Sequence, residues 1–221
     1  MIKLVIFDWN GVLIADTENA MKGGNEVIKA FGGNPVDVET YRAHNVIPST
    51  DFYIQHGCRR EDLVKDAKKA AEIFHNYYES HGQHIRSRGG VKKLLKWLKD
   101  NSISSVILSN HTVEGIHSQL HRLKIDEYFS QVYANDDRDC FMKGTTKKDK
   151  FLKIVSESKL KSSEIMIIGD SPEEVELAKS MKTYSAAITH GHYSTARLVK
   201  TGPDYLISTL EQLIGIIQKI K

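Results

Sequence analysis

The stretch Leu4-Val5-Ile6-Phe7-Asp8-Trp9-Asn10-Gly11 constrains the fold more than any other part of this 221-residue chain. Its four leading apolar residues, with strand-prone Val, Ile and Phe among them, read as a strand buried on both faces. That is the habit of a parallel sheet covered by helices. The run ends in an acid, and Gly11 three residues on lets the backbone turn sharply. Open α/β sheets bind ligands beyond the carboxyl ends of their strands, so Asp8 stands where such proteins do chemistry. An Asp that merely stops a strand is the plainer alternative, and the rest of the chain has to decide.

Two further apolar runs end in the same manner. Val106-Ile107-Leu108 leads into Ser109-Asn110, and Ile165-Met166-Ile167-Ile168 leads into Gly169-Asp170. Shorter strands are expected at 131–134, 186–189 and 205–207. Between them lie helical patterns, such as Val91, Leu94, Leu95 and Leu98 at i, i+3, i+4 and i+7. Others cover the residues up to 123, those around Phe151, 173–181 and 210–220. Strands alternating with helices imply right-handed crossovers and a doubly wound, mostly parallel α/β sheet.

The block between the first strand and the first of these helices is different. Asp16 and Thr17 can cap a helix running to about Phe31, where Gly32-Gly33-Asn34-Pro35 closes it. Helices at 37–44, 49–56 and 60–80 follow, the last with Leu63, Ala67, Ala70, Ala71 and Phe74 along one side. No strand signal interrupts them. Residues 15–85 therefore read as an all-helical domain inserted into an α/β core made of residues 1–14 and 86–221.

Composition narrows the function classes. Apolar residues at 40% and charged residues at 27% fit an ordinary soluble protein. The net charge of +3 comes from lysines spread along helices, which argues against a nucleic-acid stripe. Cys58 and Cys140 form neither a disulfide framework nor a metal knuckle. With no signal-peptide pattern and no apolar run near the roughly 20 residues of a membrane span, a cytoplasmic location is expected.

A parallel sheet brings Asp8, Ser109 and Asp170 to one edge. Two nearby carboxylates repel unless a cation lies between them, and Mg²⁺, with its preference for hard oxygens, suits the pair. Lys143 or Lys147, ahead of a helix, can add a point charge for a phosphate. Together these point to metal-assisted phosphoryl chemistry.

The segments FDWNGVL, VILSN, the Lys-rich helix start and IMIIGDSPEEVELAK together resemble the four motifs of the haloacid dehalogenase-like hydrolases. The helical insert resembles the cap of the phosphoglycolate phosphatase and β-phosphoglucomutase branch, and the ending AAITHGHY…GPDYLISTLEQL resembles its tail. The resemblance implies a Rossmann-like core with a helical cap, and Mg²⁺-dependent hydrolysis of a small phosphorylated metabolite. In it, Asp8 corresponds to the nucleophile that becomes an aspartyl phosphate and also to a metal ligand. Asp170 and the backbone carbonyl of Asn10 correspond to further metal ligands. Ser109 and Asn110 correspond to the phosphate-binding pair. Lys147 is favoured over Lys143 as the phosphate lysine, because Phe151 four residues later begins the apolar face of its helix. Glu174 corresponds to a second acid, with Glu173 as the alternative.

Position 10 departs from the pattern. The phosphatases of this family usually carry a second Asp there, which protonates the leaving oxygen and then helps deprotonate water. Asn10 keeps the size and hydrogen-bonding capacity of Asp but has no proton to give. General acid–base groups contribute about 10²–10⁴-fold, so slow turnover of alkyl phosphates is expected. The substrate then has a good leaving group, such as an aryl or acyl phosphate, or His111 stands in as the donor. A third explanation is a weakened relative that binds a phosphate ligand without turning it over. Deamidation of Asn10-Gly11 is a fourth, which a tight turn would slow.

Other features have plainer readings. His117 and His121, four apart on a helix, form a candidate metal pair with no third ligand nearby and read as a solvated face. Lys22 and Lys29 in the first inserted helix read as surface lysines, not as a Schiff-base lysine. His81 and His84 fall near the return to the core, and His190 and His192 flank Gly191 near the site edge. Trp9 packs against the insert or fills space. Substrate identity and oligomeric state have no legible code in the sequence.

Overall fold

The strands are β1 (Leu4–Phe7), β2 (Ser104–Thr112), β3 (Gln131–Asn135), β4 (Ile165–Gly169), β5 (Tyr184–Ile188) and β6 (Tyr205–Ile207). In this computed structural model, which describes residues 1–136 and 147–220, they form one parallel sheet ordered β3-β2-β1-β4-β5-β6. The first strand is thus central, and the chain crosses over it between β3 and β4. Ligand crevices of open sheets form at such a reversal. Phe7 lies level with Ile107 on one side and Ile168 on the other, so Asp8, Ser109 and Asp170 leave the sheet at nearly one height.

The apolar runs are continuous because both faces are covered. Val5, Phe7, Ile107, Met166 and Ile168 pack into one cluster, while Leu4, Ile6, Val106, Leu108, Ile165 and Ile167 pack into the other. The first face is closed by α6 (Val91–Asp100), α7 (Val113–Leu123) and α11 (Gln212–Lys219). Its anchors include Leu94, Leu95 and Leu98, all buried at the spacing read from the sequence. The second face is closed by α8 (Lys148–Ser158), through Phe151 and Ile154, and by α9 (Pro172–Met181), through Leu177 and Ala178. A doubly wound α/β architecture results.

Between β1 and α6 the chain forms five α-helices, α1 (Thr17–Ala30), α2 (Val38–His44), α3 (Ser49–Gln55), α4 (Arg60–Lys65) and α5 (Ala67–Ser80). They share a cluster of their own that includes Met21, Val27, Ile28, Tyr41, Phe52, Tyr53 and Leu63. No described helix is long and apolar enough to cross a membrane.

Several local expectations need correction. The helix expected over 60–80 is broken at Asp66, which ends α4 and begins α5 with ψ at 33°. Asp competes for backbone hydrogen bonds and tolerates such a break, although the apolar side from Leu63 to Ala67 and Ala70 continues across it. Asp16 precedes α1 but gives it no side-chain cap, because its carboxylate is engaged elsewhere. Strand β2 runs on to Thr112, and α10 (Thr195–Thr201) is a helix that the apolar pattern did not announce.

Candidate active site

Asp8 is 6% exposed, and its Oδ1 accepts the backbone N–H of Trp9 at 2.7 Å. Oxygens of Asp8, Asp170 and Glu174 all lie within 4.8 Å of one another, and all three residues are buried. The ammonium of Lys147 sits 2.8 Å from Asp8 Oδ1 and 2.5 Å from Glu174 Oε1. Ionised together beside one ammonium, the three carboxylates would carry two negative charges that it does not balance, in a buried space. A divalent cation with a taste for oxygen ligands matches both the charge and the donor atoms. Burial pushes the Asp8 carboxyl up to about 8; Lys147 opposes this, while Glu174 and Asp170 add to it. Burial would discharge Lys147, but Asp8 and Glu174 outweigh it and hold the ammonium protonated.

The neighbouring acids are held by local chain geometry. Ser171 starts α9 with a capping box, in which Glu174 Oε2 accepts the Ser171 N–H at 3.2 Å and its Oγ–H at 2.7 Å. That lock presents the other Glu174 oxygen to Lys147. Glu173 faces the Lys147 backbone instead, accepting its N–H at 2.7 Å. Asp170 is seated between two glycines. A Cβ on Gly11, whose φ is +69°, or on Gly191 would come within 2.0 Å of Asp170 Oδ2. The His192 N–H donates to the same oxygen at 2.5 Å. These two glycines form a cradle that any larger residue would fill.

Ser109 is buried within β2, directly after its apolar run Val106–Leu108, and its Oγ accepts the His111 N–H at 3.0 Å. Asn110 lines the cavity, and its carbonyl accepts from Asn135 Nδ2 at 2.8 Å. The His111 ring also lines the cavity. Its Nδ1 accepts the Thr112 N–H at 2.7 Å, which leaves the ring proton on Nε2. Burial lowers the His111 pKa, so the ring is neutral. Gly115 gives it room, since a Cβ there would lie 2.5 Å from His111 Cε1.

Around Asn10 runs a network that sequence reading missed. Its amide donates to Asp16 Oδ2 at 2.6 Å and to Tyr78 Oη at 3.0 Å, while the Tyr78 hydroxyl donates to Asp16 Oδ2 at 2.7 Å. Asp16 Oδ1 takes the Gly11 N–H at 2.8 Å and faces His192 Nε2 at 3.2 Å. His192 Nδ1 lies 2.8 Å from the Tyr41 hydroxyl. Burial alone would raise the Asp16 carboxyl, but His192, Asn10 and Tyr78 bring it down to about 2. For His192 burial pulls downward, and Asp16 reverses this to about 9. The pair is therefore an ion pair at neutral pH. Asp16 drew notice in the sequence as a helix start and His192 as a residue near the site edge, but not as partners, because Tyr78 and His192 lie 62 and 176 positions from Asp16.

The cavity holds about 190 Å³ between the sheet edge and the helices of 15–85. Asp8, Asn10, Ser109, Lys147 and Asp170 line one side, and Ala20, Gly24, Tyr41, Phe52, Tyr53 and Tyr78 line the other. Lys143 lies outside the described residues. The remaining candidates sit apart from the cavity. His117 and His121 are exposed, with His121 3.7 Å from Asp126. Lys22 and Lys29 are exposed and pair with Glu18 and Glu26. His81, His84 and His190 are exposed, and Trp9 is fully buried in the core beneath the sheet.

The order of the strands, the helical segment after the first and acids gathered beside a buried lysine place a candidate active site at the edge of a doubly wound α/β core. Residues 5–188 match the family model described as haloacid dehalogenase-like hydrolase, and the chain belongs to that family. It is 22% identical to a phosphoglycolate phosphatase of Vibrio parahaemolyticus over 98% of this chain and 96% of the relative. It is 23% identical to one of Synechococcus elongatus, over 99% of both. Among solved structures, a haloacid dehalogenase-like family protein from Streptococcus pneumoniae superposes with a TM-score of 0.80 at 20% identity, covering 98% of this chain and 99% of that one. A protein described as a predicted phosphatase from Clostridium acetobutylicum does so with 0.81 at 21% identity, over 99% of both.

Proposed function

We propose that this chain is a Mg²⁺-dependent phosphatase, akin to the phosphoglycolate phosphatases, that hydrolyses a small phosphorylated metabolite through an aspartyl phosphate on Asp8. The observation that carries the reading is the buried group of Asp8, Asp170 and Glu174 with Lys147 against it. Asp8, Asp170 and the backbone carbonyl of Asn10 would hold the Mg²⁺, and the glycine cradle around Asp170 suits that role. The ion supplies charge neutralisation at the phosphoryl oxygens when bound.

The residues of the chain do the rest. Asp8 presents a carboxylate oxygen to phosphorus, the bond from phosphorus to the leaving oxygen breaks, and the electron pair departs with that oxygen. Lys147 stays charged and balances the phosphate. Ser109 and Asn110 bind its oxygens. The helices of 15–85 act as a cap over the residues 1–14 and 86–221, excluding water while the ester is cleaved. Water then attacks the aspartyl phosphate, and Asp8 leaves phosphorus to regenerate the free enzyme.

The test is phosphate release from 4-nitrophenyl phosphate with Mg²⁺ and with EDTA, beside beryllofluoride trapping on Asp8. Turnover with Mg²⁺ that Asp8→Asn abolishes is the expected result. A protein that binds neither metal nor phosphate analogue would not fit the reading. Asn10, with both amide hydrogens committed to Asp16 and Tyr78, favours a second reading as a phosphate-ligand binder with little turnover. A single-turnover burst followed by a stalled aspartyl phosphate would select it.

A further inference from the structure

We infer, resting on the phosphatase reading above, that the substrate is the phosphate ester of a neutral, aryl-type alcohol that leaves as an anion without being protonated, not one bearing a carboxylate. Two observations made on different parts of the site lead there.

The first concerns the leaving oxygen. Both hydrogens of the Asn10 amide are spent, one on Asp16 Oδ2 at 2.6 Å and one on Tyr78 Oη at 3.0 Å. The Tyr78 hydrogen is spent on Asp16 in turn, which closes the triangle. What Asn10 has left is a carbonyl oxygen, an acceptor only. Residue 10 thus offers a leaving group neither a proton nor a hydrogen bond. Both ring nitrogens of His192 are engaged, with Asp16 and with Tyr41. With Ser109, Asn110 and Lys147 given to the phosphate in that reading, His111 is the donor left for the leaving oxygen, its proton on Nε2. A neutral imidazole gives a hydrogen bond, which steadies an anion already stable on its own, but it does not supply a proton as an acid does.

The second concerns the wall opposite Asp8. Tyr41, Phe52, Tyr53, Phe74 and Tyr78 give it an aromatic lining, with Asn45, Ser49 and His75 as its polar members. Among the described residues lining the cavity, Lys147 is the one lysine or arginine, and it is already paired with Asp8 and Glu174. A substrate carboxylate pressed against this wall would lose its hydration and find both nearby cations, Lys147 and His192, already paired with Asp8, Glu174 and Asp16, an unfavourable exchange. A ring, by contrast, meets faces and edges suited to offset or edge-on packing, as Tyr41 and Phe52 already show toward each other at 5.5 Å.

The chemistry balances without an acid. Asp8 Oδ forms a bond to phosphorus, the bond from phosphorus to the aryl oxygen breaks, and that oxygen leaves with the pair as a phenolate. In the second step water bonds to phosphorus, Asp8 departs as a carboxylate, and both hydrogens of the water stay on the released phosphate.

The experiment compares kcat/KM, with Mg²⁺ present, across substituted phenyl phosphates, benzyl phosphate, glycerol phosphate and phosphoglycolate. Binding of the same esters to Asp8→Asn is followed by calorimetry. The inference expects a steep fall in rate as the phenol becomes less acidic. It also expects benzyl phosphate to bind about as well as phenyl phosphate yet turn over about 10²–10⁴-fold more slowly. Phosphoglycolate should bind about tenfold or more weakly. Phe52→Leu should lower kcat/KM for phenyl phosphate several-fold relative to glycerol phosphate. Phosphoglycolate handled as well as phenyl phosphate, a flat dependence on phenol acidity, or an unchanged ratio in Phe52→Leu overturns this inference and leaves the phosphatase reading standing. No phosphate release from any ester, together with no beryllofluoride adduct at Asp8, overturns the phosphatase reading itself.

Discussion

Asn10 and Asp16 act as one unit at the scale of single residues. The amide and the carboxylate are 2.6 Å apart in a buried network, so Asn10→Asp sets two carboxylates against each other. We expect that variant to lose about 1–3 kcal/mol of stability, the range for spoiling a buried polar contact. Asn10→Asp combined with Asp16→Asn restores one amide facing one carboxylate and should recover part of the loss, since His192 then faces an amide in place of its carboxylate. A double-mutant cycle on thermal or urea unfolding measures this coupling, and strict additivity would contradict it.

His192 supplies a second prediction at this scale. Its pKa rises from 6.5 unfolded to about 9 folded, so its contribution is full below about 6.5 and is lost as the pH climbs through 9. Asp16 moves the other way, from 3.8 to about 2, so its contribution is present above 3.8 and lost as the pH falls toward 2. Between these limits the pair is at full strength. Unfolding temperature should therefore decline between pH 6.5 and 9, and His192→Phe should flatten that decline. Residue identities such as Asp8, Ser109 and Asp170 were legible because each ends an apolar strand. His192 was placed near the site edge, but its pairing with Asp16 and Tyr41, and that of Asp16 with Tyr78, was not legible, since no local pattern says which groups of α2, α5 and the loop after β5 will meet.

Among the elements, α9 ties local sequence most directly to the site. Its Ser171–Glu174 capping box satisfies the helix start and orients the acid that grips Lys147. Ser171→Ala should cost about 1 kcal/mol, read as an unfolding temperature about 2–4 °C lower. It should also reduce activity, because Glu174 is freed from its tether. The motif SPEE carries this signal in plain view, a Ser with Glu three residues on and Pro at the first helical position. Boundaries elsewhere were less legible. The break at Asp66 and the extension of β2 to Thr112 are boundaries that apolar periodicity does not report.

On the scale of the whole molecule, the sheet order places the central strand between the two that supply Ser109 and Asp170, and the inserted helices stand over that edge. The three buried carboxylates crowded there predict that Mg²⁺, by holding them ionised, stabilises the fold by mass action. The unfolding temperature should rise with Mg²⁺ concentration, and the rise should vanish in Asp170→Asn. A metal-independent unfolding temperature in the unmodified protein would remove the ion from this site.

The sequence by itself determined the α/β class, the helical insert after the first strand and the acids at the strand ends. All of these follow from local periodicity and from residue types at its breaks. Only the tertiary structure decided the strand order, the seating of Asp170 between Gly11 and Gly191, and the network that commits Asn10 to Asp16. The physical reason is separation along the chain. Burial makes a missing partner costly, but which distant groups become partners is settled when the layers pack.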